Sequence, residues 1–169
     1  MAPHCIEHLL KDHREGERIV SELESLLNQR QEGCWTAARS ASFARVAHFV
    51  DEVVMAHVRK EEDVLFPALG AFLPSDTGPL AVLRGEHQEL AETFKRFLEA
   101  GGRLSAGSSD AAVCEEFERT GRAMIQGFRD HVYKEDRILF PMVARFLSPE
   151  GDARLLEQME AKTPAPKAS

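Results

Sequence analysis

Two histidine–glutamate pairs stand at matching places in a repeated stretch of the chain. Residues 57–73 read HVRKEEDVLFPALGAFL and residues 131–147 read HVYKEDRILFPMVARFL. Each stretch begins with a histidine and has a glutamate four residues later, which gives the pairs His57/Glu61 and His131/Glu135. Residues four apart lie on one face of an α-helix, about 40° apart around its axis. Each pair is therefore predicted to present an imidazole and a carboxylate to one metal ion.

The repeat also brings in two further histidines. The offset that relates His57 to His131 relates His13, in the sequence KDH, to His87, in the sequence GEH. Two helix pairs related in this way are expected to pack as an antiparallel four-helix bundle with an approximate two-fold axis. Such a bundle would bring six side chains to one level of its interior: His13, His57, Glu61, His87, His131 and Glu135.

This set of side chains makes a poor apolar core and a good metal site. Burying two glutamates without partners would cost several kcal/mol each, so inward-pointing glutamates require cations between them. Imidazole and carboxylate suit iron, and also manganese or zinc, whereas the lack of clustered cysteines disfavours an iron–sulfur cluster. One glutamate from each half can bridge two ions about 3.5–4 Å apart. We therefore predict a dinuclear iron centre.

Length and composition limit the other functions of the chain. Its 169 residues fit one domain, and its net charge of -7 with no basic stripe argues against nucleic-acid binding. The N-terminal residues contain neither a signal peptide nor an apolar span, which predicts a cytoplasmic protein that does not bind membranes. Cys5, Cys34 and Cys114 are odd in number and form no CxxC motif, so we expect free thiols in a reducing compartment.

The apolar periodicity predicts an all-α protein. Helices are expected over about 3–29, 40–66 and 79–100, and from Asp110 as N-cap to a kink at Pro141. Pro67 should end or kink the second helix, and Gly101 with Gly102 should end the third, leaving a flexible loop over 101–110. We assign residues 1–148 to the bundle, 149–161 to a short C-terminal helix and 162–169 to a disordered tail.

Taken together, these motifs resemble those of hemerythrin-like, or HHE cation-binding, domains. The resemblance covers about residues 3–147 and rests on the two histidines in KDH and GEH and on the two His-x-x-x-Glu pairs, each followed by Leu-Phe-Pro. It implies a four-helix bundle with a non-haem di-iron centre, bridged by two carboxylates and an oxo or hydroxo group. Such centres bind O2, NO or peroxide, or sense or supply iron.

The chain departs from the oxygen-carrying members at two points. Their third helix carries a His-x-x-x-His pair, whereas the residues four before and four after His87 are Leu83 and Ala91. Glu17, whose repeat counterpart is Ala91, is either a seventh ligand that fills this gap or a solvated glutamate. Oxygen carriers also place the last carboxylate at the position of Asp136; we prefer Glu135, because Glu61 has the same spacing, and assign Asp136 and Glu62 to the surface.

Three functions remain open from the sequence. A site with only two carboxylates is cationic, which favours small anions or diatomic gases and slow redox turnover. The leading hypothesis is a protein that binds O2, NO, peroxide or an azide-like anion for sensing or detoxification, with weak peroxidase-like, catalase-like or NO-related oxidoreductase activity left undecided. The alternative is iron storage or delivery for iron–sulfur repair, and the third is a structural bundle. Phe66, Phe94, Phe128, Phe140 and Met55 are expected to keep the site dry, as an ordinary core would.

Overall fold

The structure is a computed structural model that describes residues 2–28 and 33–163, and within these ranges the chain forms helices and no strands. Five helices follow one another: α1 (His4–Asn28), α2 (37–69), α3 (Pro79–Ser105), α4 (111–146) and α5 (Pro149–Glu160). None of the described helices is long and apolar enough to cross a membrane. Most of the expected tail, residues 164–169, lies outside the described residues.

Helices α2 and α4 change locally from α-helical to wider π-helical turns. The segments of α2 are Ala37–Phe49, a π turn at Val50–Val54, Met55–Lys60, a π turn at Glu61–Leu65, and Phe66–Leu69. Those of α4 are Ala111–Lys134, a π turn at Glu135–Leu139, and Phe140–Phe146. In both repeats a π turn therefore begins at the glutamate of the His-x-x-x-Glu pair, and such turns occur frequently at functional sites.

Pro67 and Pro141 explain why π turns begin at Glu61 and Glu135. A proline has no N–H group, and its ring clashes with the carbonyl group four residues earlier in a regular α-helix. Just before Pro67, the Phe66 N–H bonds the carbonyl of Glu61, five residues back, and Phe140 bonds Glu135 in the same way before Pro141. The wider turn accommodates each proline, so both helices continue for at least one further turn.

The sequence predicts one helix end correctly and another incorrectly. The predicted N-cap of α4 is confirmed, because the Asp110 carboxylate accepts a hydrogen bond from the Ala112 N–H at 2.9 Å. The predicted end of α3 at Gly101 is wrong, since the helix continues to Ser105. A Cβ atom on Gly101 would lie 2.2 Å from the Phe43 ring, so this glycine permits close packing between α2 and α3.

The four long helices contact one another in cyclic order and run antiparallel. Along each contacting pair, residue numbers rise on one helix as they fall on the other. The contacts that show this are Asp12–His57 and Glu22–Arg45 for α1 and α2, Glu62–His87 and Phe43–Phe97 for α2 and α3, Glu86–His131 and Arg96–Glu116 for α3 and α4, and His13–Asp136 and Asn28–Arg122 for α4 and α1.

The apolar interior is divided into two clusters. One cluster includes Leu23, Phe97 and Phe117, and the other includes Leu9, Phe66 and Leu139. Helix α5 packs on the second cluster through Leu155 and Met159, which are 3% and 0% exposed. The polar side chains of the predicted metal site lie on the stretches of helix between the two clusters, so apolar packing on both sides holds the helices that carry them.

A disulfide corrects the prediction that all cysteines are free. Cys34, just before α2, is bonded to Cys114 in the first turn of α4, with Cα atoms 5.8 Å apart. The two are separated by 80 residues, and their proximity depends on the packing of α4 beside the start of α2. Cys5 is a free, buried thiol, and burial together with the neighbouring Asp152 raises its pKa to about 12.

Candidate metal centre

Six of the seven predicted ligand side chains meet inside the protein. Glu61 and Glu135 are 0% exposed, and the four histidines of the set are between 4% and 7% exposed. The Nε2 atoms of His13 and His57 lie 3.1 Å apart, and so do those of His87 and His131. Each half of the repeat therefore supplies one pair of converging imidazoles.

The two glutamates connect these histidine pairs. One carboxylate oxygen of Glu135 lies 3.1 Å from His13 Nε2, and its other oxygen lies 3.2 Å from His131 Nε2. Oε2 of Glu61 lies 3.5 Å from His57 Nε2 and 3.3 Å from His87 Nε2. Each carboxylate thus reaches both pairs, which is the arrangement that two ions bridged by carboxylates require.

The chemistry of these side chains fits metal ions. Both oxygens of Glu61 and both of Glu135 are buried, and none has a hydrogen bond of acceptable geometry within the described part of the chain. Two nitrogen ligands about 2.1 Å from one ion and at right angles lie about 3.0 Å apart, close to the observed Nε2–Nε2 distances. Two groups that combine these histidines with these carboxylates have ligand atoms within 4.8 Å of one another. Buried carboxylate oxygens without hydrogen bonds of acceptable geometry indicate a site for cations.

The electrostatics of the metal-free site favour charged side chains. Burial alone would lower the pKa of His57, but Glu61, Asp12 and Glu135 outweigh it and raise the pKa to about 10. The pKa values of the other three ligand histidines are also raised against the effect of burial. Burial would raise the pKa of Glu135, yet its histidine neighbours hold it well below its ordinary value. Without metal, a proton on the His57 imidazole therefore supplies positive charge beside the two buried carboxylates.

Four outer carboxylates, so called because they lie on the far side of the ligand histidines from Glu61 and Glu135, contact the histidine rings. The Nδ1 atom of each histidine lies within 3.2 Å of a carboxylate oxygen: His13 with Asp136, His57 with Asp12, His87 with Glu62 and His131 with Glu86. These four pairs obey the same repeat offset as the ligands. Lys60 and Lys134, also repeat partners, bond Asp12 and Glu86 respectively. Such carboxylates fix the tautomer and direction of the ring, leaving Nε2 for the metal.

These contacts correct the assignment of Asp136 and Glu62 to the surface. Their side chains are 33% and 36% exposed, and each bonds a ligand histidine at 2.8 and 2.7 Å. Sequence reasoning also left out Asp12 and Glu86 as functional residues. A signal for all four was present, since an acidic residue precedes His13 and His87 and another follows Glu61 and Glu135 in both repeats.

Comparison with known proteins agrees with this geometry. Residues 4–143 match the hemerythrin HHE cation-binding domain, and residues 79–161 match it again. The chain belongs to the hemerythrin HHE family. The second match begins about one repeat after the first, as two related halves would produce.

Curated relatives of this family member include the iron-sulfur cluster repair protein YtfE of Escherichia coli O139:H28 (strain E24377A / ETEC), of E. coli K12 / DH10B and of Shigella boydii serotype 18 (strain CDC 3083-94 / BS512). Each is 25% identical over 91 residues, which cover 53% of this chain and 41% of the relative. The chain therefore matches these proteins over about two fifths of their length.

Glu17, the seventh predicted ligand, lies apart from the other six. It is exposed on α1, where its carboxylate lies 2.9 Å from the Arg129 guanidinium and accepts a hydrogen bond from the Ser21 hydroxyl. Burial would raise the pKa of Glu17, but the hydrogen bonds from Arg129 and Ser21 and the charge of Arg129 together lower it. The ion pair favours the solvated glutamate over the ligand as the role of Glu17. Leu83 packs in the second apolar cluster and supplies no ligand either.

An apolar cavity of about 70 Å³ adjoins the histidines of this HHE site. The four ligand histidines form part of its wall, together with Phe94 and Phe128 from one apolar cluster. Phe140 stacks on His13 and Phe66 on His87, with ring centroids 5.5 and 5.9 Å apart. The four phenylalanines are buried as expected, whereas Met55 is 41% exposed at the cavity edge. The cavity has room for a diatomic molecule beside the ligand atoms.

Proposed function

We propose that this protein is a non-haem di-iron protein that binds O2, NO or peroxide for sensing or detoxification. The observation that carries the proposal is the pair of fully buried glutamates whose oxygens have no hydrogen bond of acceptable geometry to the described residues and reach both histidine pairs. The four long helices, in this proposal, are an antiparallel up-and-down bundle with an internal pseudo-two-fold axis, to which α5 is added. Membership of the HHE family supports iron as the metal.

Each group of side chains has a distinct task in this proposal. His13 and His57 would hold one ion, His87 and His131 would hold the other, and the carboxylates of Glu61 and Glu135, which reach both histidine pairs, would hold both. When bound, two iron ions with an oxo or hydroxo bridge supply redox-active positions for a small ligand. The outer carboxylates keep the imidazoles oriented, and the stacked phenylalanines exclude bulk water from the ligand nitrogens.

The number of charges favours ligand binding with slow turnover over oxidation of organic substrates. Two ferrous ions with two buried carboxylates would leave a cationic centre, because the outer carboxylates are hydrogen-bonded to the histidines. Weak peroxidase-like, catalase-like or NO-related activity is compatible with such a centre. The size of the adjoining cavity supports ligands of two or three atoms.

Metal analysis and spectroscopy test this function directly. Protein purified after iron-replete expression should contain close to two irons per chain and show charge-transfer absorption that changes on addition of azide or peroxide. The double variant Glu61→Gln/Glu135→Gln keeps the shape of both side chains and removes both charges, so it should lose most of this iron. A wild-type protein that stays colourless and iron-free would rule the function out.

The named relatives favour a second function, the supply of iron for iron–sulfur repair. The YtfE proteins are described as iron–sulfur cluster repair proteins, and this chain matches about two fifths of them. If the present chain acts in this way, iron should move from it to a metal-free iron–sulfur acceptor after exposure to NO. Retention of iron under those conditions, together with reversible NO binding, would favour sensing or detoxification instead.

A cytoplasmic location remains part of the proposal and has its own test. The Cys34–Cys114 disulfide removes the support that three free thiols gave to a reducing compartment. Alkylation of thiols in freshly lysed cells, followed by mass spectrometry, should find both cysteines modified if the protein resides in a reducing compartment. Recovery of the bonded pair from intact cells would contradict this location.

A further inference from the structure

An apolar passage leads from the protein surface between α2 and α3 to the ligand histidines. Met55 and Ala91, the exposed residues of its lining, form the outer end. Val58 and Leu90 are half-buried, and Phe94 is 6% exposed beside the four histidines at the inner end. The lining thus changes from exposed to buried in the direction of the metal site, as the wall of an entry route does.

The backbone beside this passage is wider than a regular α-helix. Val53 and Val54, which also line the passage, belong to the π turn at Val50–Val54 of α2. The corresponding stretch of the second half, 124–128, lies in the regular α-helical part of α4. This π turn is therefore a feature of one half of the protein, unlike the two π turns that begin at Glu61 and Glu135.

The equivalent route through the other half is closed at the surface. By the repeat offset, Met55 corresponds to Arg129 and Ala91 corresponds to Glu17. Arg129 and Glu17 are ion-paired at 2.9 Å, and Arg129 also contacts Glu24 at 2.8 Å. Where the first route has a thioether and a methyl group at its mouth, the second has a bonded pair of long charged side chains.

The Phe128 ring closes the second route at a deeper level than this ion pair. Phe128 stands at the position that corresponds to Val54, and Gly16 stands at the position of Leu90. A Cβ atom on Gly16 would lie 2.2 Å from Cζ of Phe128, so the ring occupies the space beside the glycine. The second route is therefore blocked at two levels, although the ligand sets of the two halves are alike.

We propose that the passage between α2 and α3 is the entry route for a neutral diatomic gas, NO or O2, and that the Glu17–Arg129 pair and Phe128 close the related route. The inference rests on the proposed ligand-binding function of the metal centre. The apolar lining selects neutral molecules, because an anion loses its hydration there without gaining hydrogen bonds. Ala91 and Met55 act at the entrance and not on the bound ligand.

Xenon tests the passage without iron. Apolar cavities of this kind bind xenon, so crystals of metal-free protein under xenon pressure should show the gas between the mouth and the histidines. No xenon is expected at the mirror position beside Gly16. Absence of xenon from the passage, or equal occupancy of both positions, would overturn the proposal whatever the protein's iron content.

Kinetics test the entrance itself. Ala91→Trp places an indole at the mouth and should slow NO association with iron-loaded protein on the order of tenfold, equivalent to about 1.4 kcal/mol on the entry barrier. Ala44→Trp makes the same change at an exposed position near the other end of α2 and should leave the rate unchanged. Stopped-flow traces are compared at equal iron content and equal absorption spectra.

The outcomes separate the entry route from the function on which it rests. A protein without iron contradicts the proposed function but leaves the xenon result to decide on the passage. Iron-loaded protein in which both tryptophan variants bind NO at the wild-type rate contradicts the entry route alone. Azide should associate more slowly than NO in the wild type, and equal rates would contradict selection for neutral gases.

Discussion

Replacing Asp136 by asparagine should weaken metal binding although Asp136 lies outside the proposed ligand set and contacts His13 instead. Its carboxylate lies 2.8 Å from Nδ1 of His13 and is 33% exposed. A hydrogen bond to a charged group contributes about 1.5–3 kcal/mol, and exposure to solvent moves the expected value to the lower end. Outer carboxylates of this kind typically change metal affinity by about 10–100-fold. We expect a loss of about tenfold for Asp136→Asn.

Competition with a chromophoric chelator measures this loss, using Co²⁺ or Fe²⁺ under anaerobic conditions. Asp130→Asn is the matched control, because Asp130 lies on the same helix, is exposed and accepts a hydrogen bond from Gln126 instead of a histidine. Glu62→Gln, the repeat counterpart of Asp136→Asn, should show a similar loss at the other histidine pair. Unchanged affinity for Asp136→Asn, or an equal loss for Asp130→Asn, would refute the role given to the outer carboxylates.

Three further predictions concern stability. Because the pKa of His57 is raised to about 10, protonated His57 stabilises the metal-free protein fully below pH about 6.5, and this stabilisation is lost towards pH 10. The free energy of unfolding, measured in urea, should therefore fall from pH 7 through pH 8 to pH 9. In the His57→Gln variant this fall should be smaller. Cys114→Ser opens a cross-link between residues 80 apart and should lower the free energy of unfolding by about 2–4 kcal/mol, whereas reducing agent should leave the variant's denaturation curve unchanged. Gly101→Ala directs a methyl group into the Phe43 ring and should cost about 1–3 kcal/mol by thermal denaturation, while Gly102→Ala, where a Cβ meets open space, should not destabilise.

The sequence was most informative where function depends on spacing along one helix. The four-residue spacing of His57 and Glu61 directs both side chains to one face, and the repeat offset then located His13 and His87 without knowledge of the packing. Family membership, inferred from the same residues, is confirmed. The all-helical class is confirmed as well, because long apolar periodicity with few β-branched residues leaves little alternative.

The sequence alone does not predict the roles of residues that depend on contacts between helices. The position of Asp136 on α4 does not reveal that His13 of α1 lies beside it, so the sequence alone places Asp136 at the surface. Glu17 is a candidate ligand by sequence alone, because only the packing of α1 against α4 shows that Arg129 is its partner. By sequence alone, a glycine that ends a helix looks the same as a glycine that allows a neighbouring helix to pack closely. Only the position of the Phe43 ring shows that Gly101 has the second role.

The sequence repeat has a consequence for the two unequal routes. Each half of the sequence carries two of the histidines and one of the glutamates that meet in the site, so a homodimer of a single half would present the same six side chains. In such a dimer one codon would determine both entrances, and Ala91 and Glu17 would have to be the same amino acid. A single chain that contains both halves is free of this constraint. The six side chains of the site are of the same types in both halves, whereas the residues at the two entrances differ, so the site has two unlike sides that a symmetric homodimer would lack.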